Sequence, residues 1–324
     1  DADRAIMAEY GAYDDTALAA FVETVGQKLA AVSERPDLEW HFRLLDSPVV
    51  NAFAIPGGYV YITRGILAAM NSEAQLAGVI GHEIGHVTAR HTAQQITQSQ
   101  IATVGLVAGM IAVPGVGQYG LVLQQGLQVL FLKFSRDHET QADELGIRYA
   151  VRAGYDPRQI PSTYDMLRRL SDREGYGGLP TWQNTHPDPG DRKAHTSTLA
   201  YEAALLHRDR TLAVNEAGMK ERLAGLVYGD DPDQGYLIEN RFYHPGMGFQ
   251  VDWPNGWGVM NTPFAVSAVA PDGGALITLG PLAATAAAES RKREELRHYV
   301  RTRLGLHGMA THRVVFATET DAAN

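Results

Sequence analysis

His82-Glu83-Ile84-Gly85-His86 spells H-E-x-x-H, the densest concentration of reactive side chains in the sequence. On a helix, two histidines four residues apart project from one face. That spacing suits two ligands of one Zn²⁺, with Glu83 beside the metal as general base for a water. The helix that must carry them is legible. Ser72 and Gln75 form a capping box, and Leu76, Val79, Ile80, Ile84 and Val87 then recur at helical spacing.

A catalytic zinc takes three protein ligands and keeps one position for water. The pattern H-E-x-x-H-x-x-G-x-x-H fails, because Ala89 stands where it needs Gly and Thr92 where it needs His. The other source is a Glu from a later helix. No Glu occurs between Glu83 and Glu139, so Glu139 is the first candidate. Ser135 leads into a helix running to about Ala153, with Gly154 at a C′ position and Pro157 beyond. Glu139 and Asp143 share a face of that helix. Glu139 can ligate the metal while Asp143 accepts a hydrogen bond from the far nitrogen of a ligand histidine, fixing its tautomer.

H-E-I-G-H followed by E-T-Q-A-D-E-L-G resembles metallopeptidase family forty-eight. That family includes the HtpX proteases, the CAAX prenyl endopeptidases and soluble periplasmic proteases of outer-membrane quality control. Two more stretches agree: the run from Asn51 to Gly65, and His186-Pro187 with Arg192 six residues after the histidine. The resemblance spans about residues 1–205. It implies an α+β fold, a mainly helical gluzincin-type domain with a small β-sheet. It implies one Zn²⁺ on His82, His86 and Glu139, Asp143 behind them, and Glu83 as the catalytic base. His186 and Arg192 are implied near the developing oxyanion. His186 could instead close the site as a fourth ligand in a latent state. The expected location is the bacterial periplasm, with membrane association possible there, and the expected substrates are misfolded or unassembled envelope proteins.

The strand that would receive such substrates can be read directly. Asn51 to Ala54 reads as a strand, Pro56-Gly57-Gly58 as a turn and Tyr59 to Thr63 as a second strand. An exposed edge at Asn51, Ala52, Phe53 and Ala54 could pair with an extended peptide through main-chain hydrogen bonds. The same pattern also serves a plain structural hairpin.

The 324 residues carry 28 basic and 37 acidic side chains, a net charge of −9, with no strong basic run. Nucleic acid is therefore not an expected partner. Without cysteines there is neither a disulfide nor a Cys-ligated zinc site. The start at Asp1, with no Met, reads as a processed or trimmed chain. From Thr92 to Leu132 there is no charged residue and no histidine. Within this stretch Ile101 to Gly117 is almost wholly apolar, yet shorter than the ~20 residues of a membrane span and interrupted by Pro114 and glycines. It reads as a buried helical hairpin linking the two zinc helices, or as a mobile apolar lid or membrane-facing plate over the site, the plate bringing residues 101–134 to a membrane surface.

Along the chain, residues 1 to about 35 read as one amphipathic helix, followed by a strand near Glu39 to Leu45. Asp156-Pro157 starts a further helix, Ser171 to Pro189 reads as a Gly/Pro-rich loop, and helices resume from Arg192 to about Leu226. A linker near 229–233 divides a peptidase domain, 1–229, from a small α+β accessory domain, 236–324. In the latter, short strands between 242 and 279 precede a charged helix at 286–304 and a strand at 313–318. His41, His91, His138 and His195 read as structural or solvated. The expected activity is zinc-dependent endopeptidase. A chaperone-like envelope binding protein with a latent zinc site is the alternative.

Overall fold

The computed structural model describes residues 2–97, 133–171, 182–186, 192–262, 265–272 and 274–279. The fold is α+β, in two compact units, Asp1–Asp230 and Asp231–Asn324. The 98–132 part of the uncharged stretch, the 286–304 helix and the 313–318 strand lie outside the described residues.

The expected single N-terminal helix is two: α1, Ala2–Tyr10, and α2, Thr16–Ala30. Gly11 breaks the run with a left-handed φ of 69°. Tyr13 then donates its backbone N–H to Leu44 O, and the Asp15 side chain caps α2 by accepting from Leu18 N at 2.9 Å.

Three strands follow: β1 (His41–Leu45), β2 (Ala52–Ile55) and β3 (Tyr59–Thr63). The sheet order is β1-β3-β2, with β1 parallel and β2 antiparallel to the central β3. Alternation along β3 splits the core in two. Val60 and Ile62 join Phe42, Leu44, Ala52 and Ala54 on the face that packs against α2 and α4, whereas Tyr61 joins Phe53 and Ile55 on the face covered by Ile6 and Tyr10 of α1.

The short α3 (Arg64–Ala68) leads to α4 (Glu73–Thr88), the H-E-x-x-H helix. Its capping box forms in a shifted way. Ser72 Oγ accepts from Gln75 N at 3.2 Å, while Gln75 Oε1 accepts from Asn71 N at 2.7 Å. Every residue from Ala74 to Val87 is buried. Helix α5 (Arg136–Arg152), capped by Ser135, crosses α4 at a contact of small residues. A Cβ on Gly146 would sit 2.9 Å from His82 N, and one on Gly85 would sit 3.0 Å from Ala142 O. Absent side chains thus set the spacing between the two helices that carry the reactive residues.

A 3₁₀ turn at Pro157–Gln159, N-capped by Asp156, opens α6 (Ile160–Ser171). The segment read as loop contains a one-turn helix, α7 (Trp182–Thr185). Helices α8 (Arg192–Leu206) and α9 (Glu216–Arg222) complete the first unit. Buried Arg64 holds the unit's C-terminal end, donating to Asp46 at 2.6 Å and to Val227 O at 2.9 Å. In the second unit, β4 (Tyr236–Ile238), β5 (Arg241–His244) and β6 (Phe249–Asp252) form one antiparallel sheet. β7 (Gly258–Thr262), β8 (Ala265–Val269) and β9 (Leu276–Leu279) form another. Phe242, Trp253, Val266 and Ala268 are its core.

Candidate metal centre

One turn of α4 places His82 and His86 on the same face, and α5 lays Glu139 across from them. His186, at the end of α7, completes a cluster whose four ligand atoms all lie within 4.8 Å of one another. None of the four residues is more than 3% exposed. His86 Nε2 stands 3.0 Å from His82 Nε2, and His82 Nε2 stands 3.3 Å from His186 Nδ1. Glu139 Oε1 is 3.4 Å from His86 Nε2 and 3.0 Å from His186 Nδ1. Two ligands about 2.1 Å from one zinc at the tetrahedral angle lie about 3.4 Å apart. The observed spacings, 3.0 to 3.4 Å, reach up to that value.

The charges favour a cation too. His82 Nδ1 is 2.9 Å from Asp143 Oδ1, so the proton sits on Nδ1 and a bare Nε2 lone pair faces the cluster. Burial pushes Glu139 up, but His186, His86 and Arg192 outweigh it and hold the carboxyl well below its ordinary range. Burial lowers His86 well below the usual imidazole value and lowers His186 as well. Neutral imidazoles and an ionised carboxylate, packed together, form a donor set that fits zinc.

Glu83 is the anomaly. Its carboxylate is 1% exposed, and neither oxygen has a hydrogen-bond partner among the described residues. The nearest charged or ring nitrogen is His186 Nε2, 3.6 Å from Oε1 and itself unpartnered. Burial first, then the Glu139 charge, raise Glu83 well above the carboxylate range, with Arg192 opposing. A buried carboxylate without partners is costly and calls for a functional explanation.

The first unit therefore presents a H-E-x-x-H helix and a glutamate-bearing helix crossing it. A model of Peptidase family M48 matches residues 17–200. The chain belongs to this family. Its M48 region is similar to mitochondrial metalloendopeptidase OMA1 of Arabidopsis thaliana, 34% identical over 183 residues. It is also similar to the beta-barrel assembly-enhancing proteases of Yersinia pestis, 32% identical over 187 residues, and Escherichia coli K12, 27% identical over 256. These matches cover 56%, 55% and 73% of the chain but only 36%, 38% and 52% of the relatives.

Not every residue singled out in the sequence stands where it was expected. Arg192, expected near an oxyanion, lies behind the M48 cluster. Its Nε and Nη2 donate to Asp143 at 2.5 and 2.7 Å, and its Nη1 pairs with Glu139 Oε2 at 2.5 Å. Tyr164 donates a further hydrogen bond to Asp143 at 2.6 Å, a contact that no motif marks. Asn51, Ala52, Phe53 and Ala54 are all buried. Above them, Trp182 N donates to Val50 O at 3.0 Å, and Trp182 stacks on His186 with ring centroids 4.1 Å apart. Phe134, two residues past the uncharged stretch, packs on His86 with ring centroids 3.9 Å apart. His91, read as structural or solvated, is buried and stands 3.1 Å from His86. Its position five residues after His86, beyond the helix end, was the available signal.

Proposed function

We propose that the chain is a zinc-dependent endopeptidase whose reactive residues are held in a closed form. The convergence of His82, His86, Glu139 and His186 beside an unpartnered Glu83 carries this reading. His82, His86 and Glu139 would hold the zinc. Bound there, zinc supplies Lewis-acid polarisation of the scissile carbonyl and of the attacking water. Glu83 accepts a proton from the water at a carboxylate oxygen and returns it to the leaving amine. Its raised proton affinity suits both transfers. Asp143 keeps the proton on His82 Nδ1. Arg192 keeps Glu139 and Asp143 ionised and so acts as a positioning residue rather than at the oxyanion.

A catalytic zinc needs an open position, whereas a fourth protein donor closes it. On this reading His186 must swing away for turnover, and can then serve the developing oxyanion. The same movement would carry Trp182 off Val50, just before β2, and free the Asn51–Ala54 edge for an extended peptide. A protein whose centre stays closed would instead be a chaperone-like binding module, and the burial of all four donors favours that second reading.

Relatives named beta-barrel assembly-enhancing protease support misfolded or unassembled envelope proteins as substrates and a periplasmic location. Among the described residues no helix is long and apolar enough to cross a membrane. Membrane-surface contact through 101–134 is part of the same proposal, with Phe134 its described end.

The test is metal content together with cleavage of an unfolded protein. The reading expects one zinc per chain, cleavage lost with a chelator and restored by zinc. Stoichiometric zinc without cleavage, even after His186→Ala, would favour the binding module. A chain that takes up no zinc would overturn both.

A further inference from the structure

Asp143 fixes the tautomer of His82, and the structure supplies a separate device for His86. Helix α4 ends at Ala89 and Arg90, whose N–H groups bond back to Gly85 O and Val87 O. Arg90 takes a left-handed φ of 61°, a conformation that side-chain-bearing residues rarely adopt. The turn sends the chain into a second helical stretch, 91–97, and folds the His91 ring back against the end of the helix it has just left. There His91 Nδ1 faces His86 Nδ1 at 3.1 Å, and His91 Nε2 faces Gln141 Oε1 at 2.9 Å. His91 is 1% exposed. Gln141 lies on α5, between Glu139 and Asp143.

Two facing imidazole nitrogens form a hydrogen bond only if one carries the proton. If His91 donates, the proton of neutral His86 sits on Nε2 and points into the cluster, 3.0 Å from His82 Nε2. His86 then has no lone pair for a metal. If His86 donates, its Nε2 is bare. Gln141 decides between them. Its carbonyl oxygen accepts, so His91 Nε2 must donate, His91 Nδ1 must accept and His86 Nδ1 must donate.

We infer that His91 and Gln141 are positioning residues that hold His86 in its metal-binding tautomer, through a relay from the His86 Nδ1–H to His91 and from the His91 Nε2–H to Gln141. The relay ties the two ligand-bearing helices together, since Gln141 reports from the helix that carries Glu139. This rests on the proposal that His86 is a zinc ligand.

The experiment measures zinc affinity by competition with a chromogenic chelator for the native chain and for His91→Leu, His91→Gln and Gln141→Leu. Outer partners of metal-bound histidines are worth about 10- to 100-fold in metal affinity. His91→Leu should lose that much. His91→Gln, whose amide oxygen can accept from His86 Nδ1, should recover most of it. Gln141→Leu, a change on an exposed helical position that leaves the core intact, should fall between. Nitrogen-15 NMR of the zinc-free native chain should show the His86 proton on Nδ1. The inference is overturned if native protein binds zinc and His91→Leu binds it equally well, or if the His86 proton is on Nε2. A native chain that binds no zinc fails at the earlier step, and the zinc reading falls with it.

Discussion

Glu83 should make the zinc-free protein less stable than it could be. Its carboxylate is buried, and neither oxygen has a hydrogen-bond partner among the described residues. In the unfolded chain it titrates near 4.5, while burial holds the folded-state value well above that. The sign follows from linkage: the folded state binds more protons, so stability falls as pH rises from 4.5 through the folded value. At pH 7 the largest cost of keeping such a carboxyl neutral is 1.36 kcal/mol for each of the 2.5 pH units above 4.5, about 3 kcal/mol. Glu83→Met removes the titrating group and both unpartnered oxygens while keeping an unbranched chain. It should raise stability by about 2–3 kcal/mol at pH 7, or about 5–10 °C in Tm. Glu83→Gln still buries an amide and should gain less. The assay is thermal unfolding in a chelator at pH 4.5 and 7.5. The Met advantage should be large at the higher pH, shrink at the lower, and narrow again with zinc, because a cation favours the carboxylate. A Met variant less stable than native at pH 7.5, or an advantage independent of pH, would refute this reasoning.

Other consequences concern the surrounding network. Arg192→Met leaves Glu139 and Asp143 without their buried cation and should cost about 3–5 kcal/mol in urea unfolding; Arg192→Lys should not restore it, because Lys lacks the planar fork that spans both carboxylates. Gly146→Ala should push α5 off α4, costing about 1–3 kcal/mol and weakening zinc binding measured by chelator competition, since the new Cβ would meet His82 N at 2.9 Å. The zinc-free chain should lose stability in acid. His86 is held below 6.5, so the unfolded state takes up its proton first as pH falls through that value, and Glu139 and Asp143, held below 4.5 and 3.8, add their losses at lower pH. Denaturation midpoints at pH 7.5, 6 and 4.5 should therefore fall in that order for Glu83→Met, which lacks a carboxyl that opposes the trend.

The two helices of the centre were legible because local rules agree there. A capping box, a 3.6-residue apolar period and a glycine stop mark α4 and α5 without reference to the rest of the chain. The strands around Pro56-Gly57-Gly58 were legible for the same reason. The parallel pairing of β1 with β3 was not, since it depends on the connection that runs between them. The N-terminal run read as one helix because its apolar residues keep a helical period across Gly11, and only the bridge from Ala12 to Leu45 shows why it breaks. Residue types announced the metal-facing atoms but not the contacts behind them. Arg192 was recognisable as part of a motif, yet which carboxylates its guanidinium spans depends on how α8 packs on α5. His91 looked like a spare histidine because the turn that returns it to His86 rests on one left-handed residue, Arg90, which carries no glycine signature.

The most direct test of the central claim is digestion of an unfolded protein such as casein by the native chain and by Glu83→Gln at matched zinc occupancy. The account predicts cleavage by the native chain and none by the variant, with zinc bound equally by both. Equal cleavage by the two would remove Glu83 from the chemistry and contradict the account.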